Sequence, residues 1–572
     1  MSIELKTPWY KYYDGVREHL EYPTYSIYSM LKESVNKYGK SNSYNYFGKT
    51  VSYEEFDAQI EETAKAFKAN GINPGDIVSI CMPNTPEALM AFYAINKIGA
   101  VSSMIHPLSA ENEIKHYVNL TKSKFIVTID LAFNKINHII NDTGLEKVIL
   151  VSVKDSMPLG LGLAYSLTKG RKVNVEKSDK TIKWHAFIES GKKYTGETFH
   201  EGKPEDTAAI LYSGGTSGFP KGIELTNYNF NSLAISGTEA CHILKPGDKV
   251  LAIMPVFHGF GLGICIHTTQ YFGGCSVILP QFNAATFDQL LTKYRPNVIA
   301  GVPSLYEAML RNKKLDGVDL SFLKCVISGG DSLSVSLKQK IDTFLHEHGA
   351  MIQVREGYGL TECVTGCCMT PEKYYREGSI GIPYPDIYFK IINPSTMEEL
   401  PYGEDGEIVI NGPTVMKGYY NDPEESEHIL KTHEDGKVWL HTGDLGYMDE
   451  EGFVYFKQRI KRMIVSSGYN LYPQYIENII DQVPEVLMSC VIGIDHQYKV
   501  QVAKAFIVLR EGIEDTPEIR SKIRSHCEQN LVQYSWPYAY EFRKELPKTL
   551  VGKVAFNVLM EEEKIKNGNT KN

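Results

Sequence analysis

Short β-rich runs alternate with helical patterns along most of the chain. The run DIVSICMP at 76–83 precedes the helical pattern of residues 87–100, and KFIVTI at 124–129 precedes the helical pattern of residues 131–140. The same order recurs after NVIAGVP at 297–303. Alternation of this kind predicts βαβ units and a largely parallel sheet covered by helices.

The pattern of predicted strands and helices changes twice towards the C-terminus. From about Asp386 strands and turns prevail, which predicts an antiparallel, barrel-like part, and after Arg459 a charged segment leads into a mixed α and β pattern. A chain of 572 residues is also too long for one ordinary hydrophobic core. We therefore expect an α/β protein with a large N-terminal domain of helix-covered mixed sheets plus the barrel-like part over residues 1–458, a connecting segment at 459–462, and a small α+β C-terminal domain over 463–572.

Composition excludes several classes of protein. The chain has 43% hydrophobic and 23% charged residues and a net charge of −9, so it is neither disordered nor basic enough to attract nucleic acid through its overall charge. Its ten cysteines form no CxxC pair, which favours buried, reduced thiols over zinc or disulfides. The N-terminus lacks the apolar core of a signal peptide. Together these features predict a cytoplasmic protein that binds no nucleic acid.

Two apolar stretches raise the question of a membrane. The stretch from Val250 to Phe287 has no charged residue, but prolines, histidines and glycines interrupt it, so buried strands flanking a glycine-rich turn and a helix explain it better than a membrane span. Residues 157–172 form an apolar patch followed by Lys169, Arg171 and Lys172. A packed insertion in a surface loop is the favoured interpretation, and peripheral contact with a membrane is the alternative.

The chemistry begins in the segment YSGGTSGFPKG at 212–222. Its glycines allow a tight turn that aims backbone N–H groups inward, and Thr216, Ser217 and Lys221 add hydroxyl donors and a cation, which together suit a phosphate. A Walker A loop would need Gly-Lys followed by Ser or Thr, and here Pro220 precedes the lysine. Alone, this segment is as typical of a surface turn as of a nucleotide loop.

Four further segments occur in order behind it: YGLTE at 358–362, WLHTGDLGYMDEEGF around Asp444, RIKRMIVSSGYNLYP from Arg459, and PKTLVGK ending at Lys553. With YSGGTSGFPKG they resemble the adenylate-forming superfamily, which includes acyl-CoA synthetases, firefly luciferase, aryl-CoA ligases and the adenylation domains of peptide synthetases. The resemblance extends from about Tyr28 to Phe556, nearly the whole chain. It implies that a carboxylate attacks the α-phosphorus of ATP, pyrophosphate leaves, and a thiol such as that of coenzyme A then displaces AMP.

The resemblance also implies a role for each matching residue. Thr361 would reach the α-phosphate and Glu362 would hold Mg²⁺, Asp444 would bind both ribose hydroxyls, and Tyr358 would stack on adenine against the backbone of residues 330–332. The positions matched to ATP or AMP are Thr216, Ser217, Gly218, Lys221, Gly330, Asp331, Ser332, Tyr358, Gly359, Asp444 and Arg459.

Lys553 carries the main mechanistic prediction. Its family counterpart bridges the acyl carboxylate and the α-phosphate, and an ammonium shared between the two anions offsets their repulsion. Lys461 lies where the family has its hinge, so rotation there would carry a mobile C-terminal lid from this adenylating pose to a thioester-forming pose. In the second pose Gly468 would leave room for the pantetheine arm of CoA. Asn470 stands where several members have a basic residue that contacts phosphate, and Lys461 and Arg462 are candidate replacements.

Further matches to the family restrict which carboxylic acid is expected as the substrate. Phe257 precedes His258 where amino-acid-activating members have an aspartate, so an α-amino acid is not expected. Acetate-activating members have a pocket-blocking tryptophan at the position of Gly359, which predicts an open pocket here. His258 is expected beside the carboxylate, as a catalytic or gating residue. The expected acyl-pocket wall is small or apolar and suits a medium- to long-chain fatty acid: Phe260, Gly263, Val302, Gly329, Gly357, Thr365 and Gly366.

Three alternatives stay open at this point. The acyl group could pass to a carrier protein or another acceptor that is not CoA, the acid could be aromatic, or the protein could bind nucleotide or lipid without catalysis. Retention of Lys221, Glu362, Asp444, Arg459 and Lys553 argues against the last. The expected small molecules are ATP, Mg²⁺, CoA and a carboxylic acid, and the expected assembly is a monomer or a homodimer.

Overall fold

The structure is a computed structural model that describes residues 5–167, 179–213, 220–466, 469–496, 498–549 and 553–569. Its strands are β1 Asn42–Tyr46, β2 Lys49–Ser52, β3 Ile77–Cys81, β4 Val101–Ile105, β5 Phe125–Ile129, β6 Lys147–Val151, β7 Thr181–Lys183, β8 Thr207–Ser213, β9 Lys221–Thr226, β10 Lys249–Ala252, β11 Cys275–Ile278, β12 Val298–Gly301, β13 Cys325–Gly329, β14 Val354–Tyr358, β15 Cys368–Met369, β16 Ile382–Pro383, β17 Tyr388–Ile392, β18 Gly406–Asn411, β19 Gly418–Tyr419, β20 Leu430–Thr432, β21 Val438–Met448, β22 Val454–Arg459, β23 Ile464–Ser466, β24 Tyr469–Leu471, β25 Val486–His496, β26 Val500–Leu509 and β27 Ala539–Arg543.

The helices are α1 Ile27–Tyr38, α2 Tyr53–Ala69, α3 Pro86–Lys97, α4 Glu111–Thr121, α5 Phe133–Ile139, α6 Leu159–Leu167, α7 Trp184–Gly191, α8 Asn227–Ala240, α9 Thr269–Tyr271, α10 Phe287–Tyr294, α11 Pro303–Arg311, α12 Val335–Glu347, α13 Pro423–Ile429, α14 Pro473–Ile480, α15 Pro517–Asn530 and α16 Phe556–Asn569. A π-helix, Phe260–Thr268, runs directly into α9. Within the described ranges, no helix is long and apolar enough to cross a membrane.

Two large mixed sheets form most of the molecule. One has nine strands in the order β16-β15-β14-β13-β12-β10-β11-β1-β2, and the other has eight in the order β19-β9-β8-β4-β3-β5-β6-β7. The inner strands of both are parallel, and antiparallel strands lie towards their edges. This arrangement confirms the βαβ units and the helix-covered mixed sheets predicted from the sequence.

Helix α3 shows how the core is built. Pro86 occupies its first turn and the Thr85 side chain accepts a hydrogen bond from the backbone N–H of Ala88, so the helix begins where a cap and a proline favour it. All twelve of its residues are buried, as expected for a helix that is apolar on most sides. It packs in the main hydrophobic core, which joins the two large sheets.

Two smaller sheets follow. One is an antiparallel sheet formed by β17, β18, β20, β21 and β22, in agreement with the antiparallel part predicted from about Asp386. The fourth sheet, of β23 to β27, contains only strands that begin after residue 463 and has its own hydrophobic core under α14 and α15. The predicted fold class is therefore confirmed, with a large mixed-sheet part and a small α+β part at the C-terminus.

The two apolar stretches have different outcomes. Residues 250–287 fold into β10, the π-helix with α9, and β11, so the prediction of buried strands flanking a glycine-rich turn and a helix is confirmed. In the second stretch Met157 packs against the core, but α6 exposes 46% of Leu161, 69% of Leu163 and 57% of Leu167. The basic residues 169–172 lie outside the described residues.

Candidate active site

A cavity of about 330 Å³ lies between the large part of the molecule and the C-terminal part. Residues from the turn after β13 and from β14, β21 and β22 line one side, and residues from 462 onwards line the other. Eleven of the residues singled out from the sequence meet here: Val302, Gly330, Asp331, Ser332, Gly357, Tyr358, Gly359, Asp444, Arg459, Arg462 and Lys553. The structure therefore brings together, in one cavity, side chains that are far apart in the sequence.

Asp444 is the buried anion of this cavity. Its Oδ2 accepts a hydrogen bond of 2.6 Å from the Tyr358 hydroxyl, and the Nε of Arg459 lies 2.9 Å from its Oδ1. Burial raises the pKa of Asp444, and Arg459 opposes that rise. Within the part of the chain that the structure describes, Oδ1 accepts no well-aligned hydrogen bond. Since the contact with Arg459 leaves hydrogen-bonding capacity of this buried oxygen unused, the oxygen is suited to a ligand hydroxyl such as that of a ribose.

The backbone of residues 330–332 forms the wall facing Tyr358. Strand β13 ends at Gly329, and Gly330 then adopts a φ of +79°, which favours glycine. A Cβ atom at this position would lie 3.5 Å from a methyl carbon of Val302 and 3.7 Å from the Cε of Lys553. Gly330 therefore combines a left-handed turn with close approach to two predicted site residues.

Lys553 reaches this wall from the C-terminal part of the chain. Its backbone N–H donates to the Thr549 Oγ1 over 3.1 Å, and its carbonyl accepts from the Thr549 N–H, so the backbone of the lysine is held against Thr549. Burial lowers the pKa of the Lys553 ammonium, and the carboxylate of Asp331 opposes that decrease. The lysine thus lies inside the cavity, where a cation interacts strongly with bound anions because little water screens it.

A second cluster lies around Tyr419. The Tyr419 hydroxyl donates to Glu362 Oε1 over 3.1 Å, and the ammonium of Lys221 lies 5.1 Å from the centre of the Tyr419 ring. Lys221 also forms an ion pair with Glu425 on α13. Strand β19 pairs with β9 and so places Tyr419 between the predicted metal ligand and the predicted phosphate-binding lysine.

The donor set around Glu362 is suited to magnesium. Mg²⁺ bound with a nucleotide takes one or two protein carboxylates and completes its shell with phosphate oxygens and water. Glu362 supplies such a carboxylate on the short 3₁₀ turn Thr361–Cys363. Among the described residues there is no group of three or more potential metal-binding side chains, so a cage made only of protein ligands is not present there.

The segment after Glu362 packs against glycines with no spare room. A Cβ atom on Gly359 would lie 1.3 Å from the carbonyl oxygen of Thr365, and one on Gly259 would lie 1.6 Å from that of Val364. Val364 itself has a φ of +63°, a strained conformation for a β-branched residue. The missing side chain at Gly359 therefore allows close backbone packing, and the opening of an acyl pocket at this point stays a prediction.

His258 lies just before the π-helix. Its Nδ1 accepts a hydrogen bond of 3.1 Å from the backbone N–H of Phe260. Burial and, to a smaller extent, the charge of Lys553 lower its pKa to about 4, so the imidazole is neutral at pH 7. A neutral ring in this position can hydrogen-bond a substrate oxygen but adds no positive charge.

The residues of the predicted acyl pocket lie near one another. The Phe260 ring is 3.7 Å from the Cβ position of Gly329, and the Thr365 methyl group is 3.8 Å from that of Gly263. Gly366 faces Tyr384 at 3.5 Å. Only Val302 and Gly357 of the predicted wall line the cavity described above, so the extent of an acyl pocket stays a prediction.

Several predicted residues give no side-chain geometry. Thr216, Ser217, Gly218 and Gly468 lie outside the described residues, and Lys461 is placed only by its backbone, on the 3₁₀ turn Ile460–Arg462.

Arg462, a candidate replacement for the missing basic residue at 470, donates instead to Glu477 over 2.6 Å and to the carbonyl of Val491. In this pose it belongs to the C-terminal part.

Sequence reasoning missed three acidic or aromatic residues of the site. Tyr419 and Glu425 were not singled out because each acts through a partner that is distant in the sequence. Glu356 lines the cavity two residues before Tyr358, and burial raises its pKa to about 8, so it is mainly protonated at pH 7. Its position on the same face of β14 as Tyr358 was the signal that could have indicated it.

Comparison with known proteins identifies the family. The sequence pattern described as AMP-binding enzyme matches residues 31–420, and that described as AMP-binding enzyme C-terminal domain matches residues 475–553. The chain belongs to the AMP-binding enzyme family. The extent of both matches agrees with the site, because the cavity lies between these two regions.

Individual AMP-binding enzymes resemble the chain over nearly its whole length. A long-chain-fatty-acid–CoA ligase of Bacillus subtilis (strain 168) is 34% identical over 98% of this chain and 99% of its own. A protein of the same name from Escherichia coli O6:H1 is 30% identical over 94% of each chain. The crystal structure of the ATP-bound RpMatB-BxBclM chimera B1 has a TM-score of 0.81 at 25% identity, covering 94% of this chain and 98% of its own.

Proposed function

We propose that this AMP-binding enzyme is an acyl-CoA synthetase that activates a medium- to long-chain fatty acid. ATP and the acid would give acyl-AMP and pyrophosphate, and CoA would then take the acyl group and release AMP. The observation that carries the proposal is the convergence of Lys553 with Asp331, Asp444 and Arg459 in one cavity. The names of two relatives, both long-chain-fatty-acid–CoA ligases, support the choice of acid and acceptor.

The first step requires two anions to meet. Asp444 and Tyr358 would fix the ribose and adenine, and Lys553 would place its ammonium between the acid and the α-phosphate. A single buried cation shared by the attacking and accepting oxygens reduces their repulsion and orients them. The neutral His258 would face the acid, where it adds a hydrogen bond without competing for the negative charge of the phosphate.

The leaving pyrophosphate would lie at the second cluster. Lys221 would bind the β- and γ-phosphates, and Glu362, oriented by Tyr419, would hold the magnesium ion that accompanies ATP. When bound, the ion neutralises phosphate charge.

The second step requires Lys553 to leave the cavity, because CoA must reach the acyl carbon. We propose a boundary at residue 458, a hinge at 459–462 around Lys461, and a lid domain over 463–572. Rotation at the hinge would withdraw Lys553 and bring Gly468 to the acyl site. The pose described above, in which Lys553 lines the cavity, would suit the first step.

An acid panel tests the reaction and the acceptor together. We expect AMP and pyrophosphate to form from ATP, Mg²⁺ and fatty acids from octanoate to palmitate, with steady turnover only when CoA is present. Acetate and benzoate are the controls, and acetate should give a lower kcat/KM than octanoate by about tenfold or more, since each buried methylene contributes roughly 0.8 kcal/mol. Equal kcat/KM for acetate and octanoate would contradict the proposed acid, and a single burst of pyrophosphate without CoA turnover would contradict the proposed acceptor.

We further propose that the enzyme takes its acid from a membrane surface through five exposed leucines, the leucine edge. They lie in the segments that follow β4, β5 and β6, which are parallel strands of one sheet and therefore end at the same edge. The members and their exposed fractions are Leu108 68%, Leu131 66%, Leu161 46%, Leu163 69% and Leu167 57%.

The leucine edge adjoins the proposed acyl end of the site. The His106 ring, which precedes Leu108 by two residues, contacts the Phe257 ring with 4.0 Å between centroids. Phe257 directly precedes His258. The Nζ of Lys135 donates to the carbonyl of Leu108, so a cation lies beside the leucines, as suits an anionic lipid surface.

Vesicle binding tests the leucine edge. The triple variant Leu161→Gln, Leu163→Gln, Leu167→Gln should bind phosphatidylglycerol-containing vesicles at least about tenfold more weakly than the unchanged protein, because fully burying a leucine contributes roughly 1.5–3 kcal/mol and a tenfold change needs only about 1.4 kcal/mol. Octanoate activation should be unchanged, since octanoate is soluble. The matched control is Met351→Gln with Val532→Gln, two exposed apolar residues elsewhere on the surface. Equal loss in the control, or no vesicle binding by the unchanged protein, would exclude this surface.

Two further predictions concern the cellular location of the enzyme and its oligomeric state. A cytoplasmic location rests on the ten free cysteines, all of which are buried, and cell fractionation would check it. Monomer and homodimer stay alternatives that the sedimentation velocity of the purified protein separates.

A further inference from the structure

Arg355 is a buried cation outside the active site. It lies on β14, is 5% exposed, and donates to the carbonyl oxygens of Thr370 and Ala240 over 2.7 and 3.0 Å. Its Nη1 lies 3.6 Å from the Sγ of Cys241. Within the described ranges no carboxylate approaches the guanidinium to ion-pair distance. The nearby Glu372 instead lies 3.8 Å from His242.

A buried guanidinium needs an anionic partner, because two carbonyl dipoles do not neutralise its charge. The thiols of Cys241 and Cys325 are acidic groups that interact with it, and the sulfur of Cys241 lies 3.6 Å from its Nη1. That sulfur is 4.0 Å from the Sγ of Cys325. Both cysteines are buried, at 5% and 1% exposed.

The surroundings of the two sulfurs differ in a way that separates their chemistry. The hydrogen bond from Cys325 and the charge of Arg355 lower the pKa of the Cys241 thiol, whereas the same contact raises the pKa of Cys325. A thiolate next to arginine is the nucleophilic form of cysteine. By contrast, burial raises the pKa of Cys81, Cys265 and Cys275 to about 12.

We propose that Cys241 is a peroxide-reactive thiolate and that Cys325 closes a disulfide with it. In the first step the sulfur of Cys241 attacks one oxygen of hydrogen peroxide, the O–O bond breaks, and hydroxide leaves, so that Cys241 becomes a sulfenic acid. In the second step the sulfur of Cys325 attacks the sulfenic sulfur, and its proton leaves with the hydroxyl group as water. The peroxide is reduced and the two thiols are oxidised.

A small cavity lies against the residues on both sides of Cys241 in the chain. It has a volume of about 30 Å³, and its lining includes Ala240, His242 and Arg355 but neither cysteine. A space of roughly 10–15 Å³ holds one water molecule, so this cavity has room for a molecule of the size of hydrogen peroxide. To form the bond the sulfurs must close from 4.0 Å to about 2 Å.

Oxidation of Cys241 and Cys325 would disturb the proposed nucleotide site. Cys325 opens β13, which ends at the Gly330 turn, and Arg355 is on β14, which ends at Tyr358. Oxidation would remove the anionic partner of Arg355 and draw Cys325 towards α8. Because neighbouring strands β13 and β14 carry the proposed adenine site, ATP activation should fall when the disulfide forms and recover with dithiothreitol. This last consequence rests on the proposed function.

Labelling of the full-length protein tests the inference. In the Cys325→Ser variant treated with hydrogen peroxide and dimedone, we expect the dimedone adduct on Cys241, formed about tenfold faster than on any of the other eight cysteines. In the unchanged protein, mass spectrometry without reductant should show the peptides of Cys241 and Cys325 joined, with loss of two hydrogens. The eight other cysteines serve as controls in the same spectrum.

The labelling result does not depend on enzymatic activity, so it stands or falls separately from the proposed function. An adduct formed first on another cysteine, or Cys241 labelled no faster than the rest, would overturn the inference. Cys241→Ser provides the second measurement, because its activity should resist the peroxide dose that lowers the activity of the unchanged protein. Equal sensitivity of both proteins would also count against the inference.

Discussion

Replacing Lys553 with alanine should lower the rate of acyl-adenylate formation by about 10²–10³-fold. This is the typical cost of removing one fixed donor to a charged transition state, and Lys553 is the cation placed inside the cavity by the C-terminal part. The second half-reaction, from supplied acyl-AMP and CoA to acyl-CoA, should change by less than about threefold, because we propose that Lys553 leaves the cavity before that step. Pyrophosphate release and acyl-CoA formation measured separately check the two halves.

Lys544→Ala is the matched control for this variant. Lys544 is exposed, lies nine residues before Lys553 in the same C-terminal part, and does not line the cavity. It should retain both half-reactions. Equal losses in the two half-reactions of Lys553→Ala would contradict the role proposed for this lysine, and a loss in Lys544→Ala would point to damage of the C-terminal part as a whole.

Gly359→Ala should destabilise the protein by about 3 kcal/mol or more and also suppress activity. The new Cβ would lie 1.3 Å from the Thr365 carbonyl oxygen and 2.4 Å from its carbon, and backbone atoms cannot rotate away as a side chain does. The segment that must move begins at the turn holding Thr361 and Glu362. Chemical denaturation measures the loss of stability, and the acid-dependent release of pyrophosphate measures the loss of activity.

Gly237→Ala provides the comparison, since Gly237 lies within α8 with no atom within 4 Å of its Cβ position. Alanine there should leave stability unchanged or raise it by up to about 1 kcal/mol, because alanine favours the helix. If Gly359→Ala unfolded at the same denaturant concentration as Gly237→Ala, the close packing at Thr365 would not hold in solution.

The local architecture could be predicted from the sequence, but the pairing of distant strands could not. The switch between strand and helix patterns predicts βαβ units because it reflects the burial of each face. Nothing near Tyr44, however, indicates that β1 pairs in parallel with β11, where Tyr44 lies opposite Ser276. Such pairing depends on how the whole chain packs.

Some residues of the candidate site could likewise be predicted from the sequence, and others could not. Asp444 and Lys553 lie in recognisable motifs, so the resemblance to adenylate-forming enzymes was enough to single them out. Tyr419, by contrast, gains its position from the pairing of β19 with β9, which no local pattern encodes. Glu356 could not be predicted as a cavity residue, because glutamate usually lies on the protein surface. Its burial, which raises its pKa to about 8 and keeps it mainly protonated, is seen only in the structure.

Glu425 gives the resting enzyme an internal anion for Lys221. On the proposed assignment, nucleotide binding at this lysine would be an exchange, in which a phosphate takes the place of a carboxylate instead of filling an unpaired positive site. Because the lysine is paired before and after, few dissolved ions are gained or released, and the affinity for ATP should depend only weakly on ionic strength at this contact. A small anion such as inorganic phosphate must also displace Glu425 without the help of a bound adenosine, so the exchange favours the complete nucleotide over its fragments.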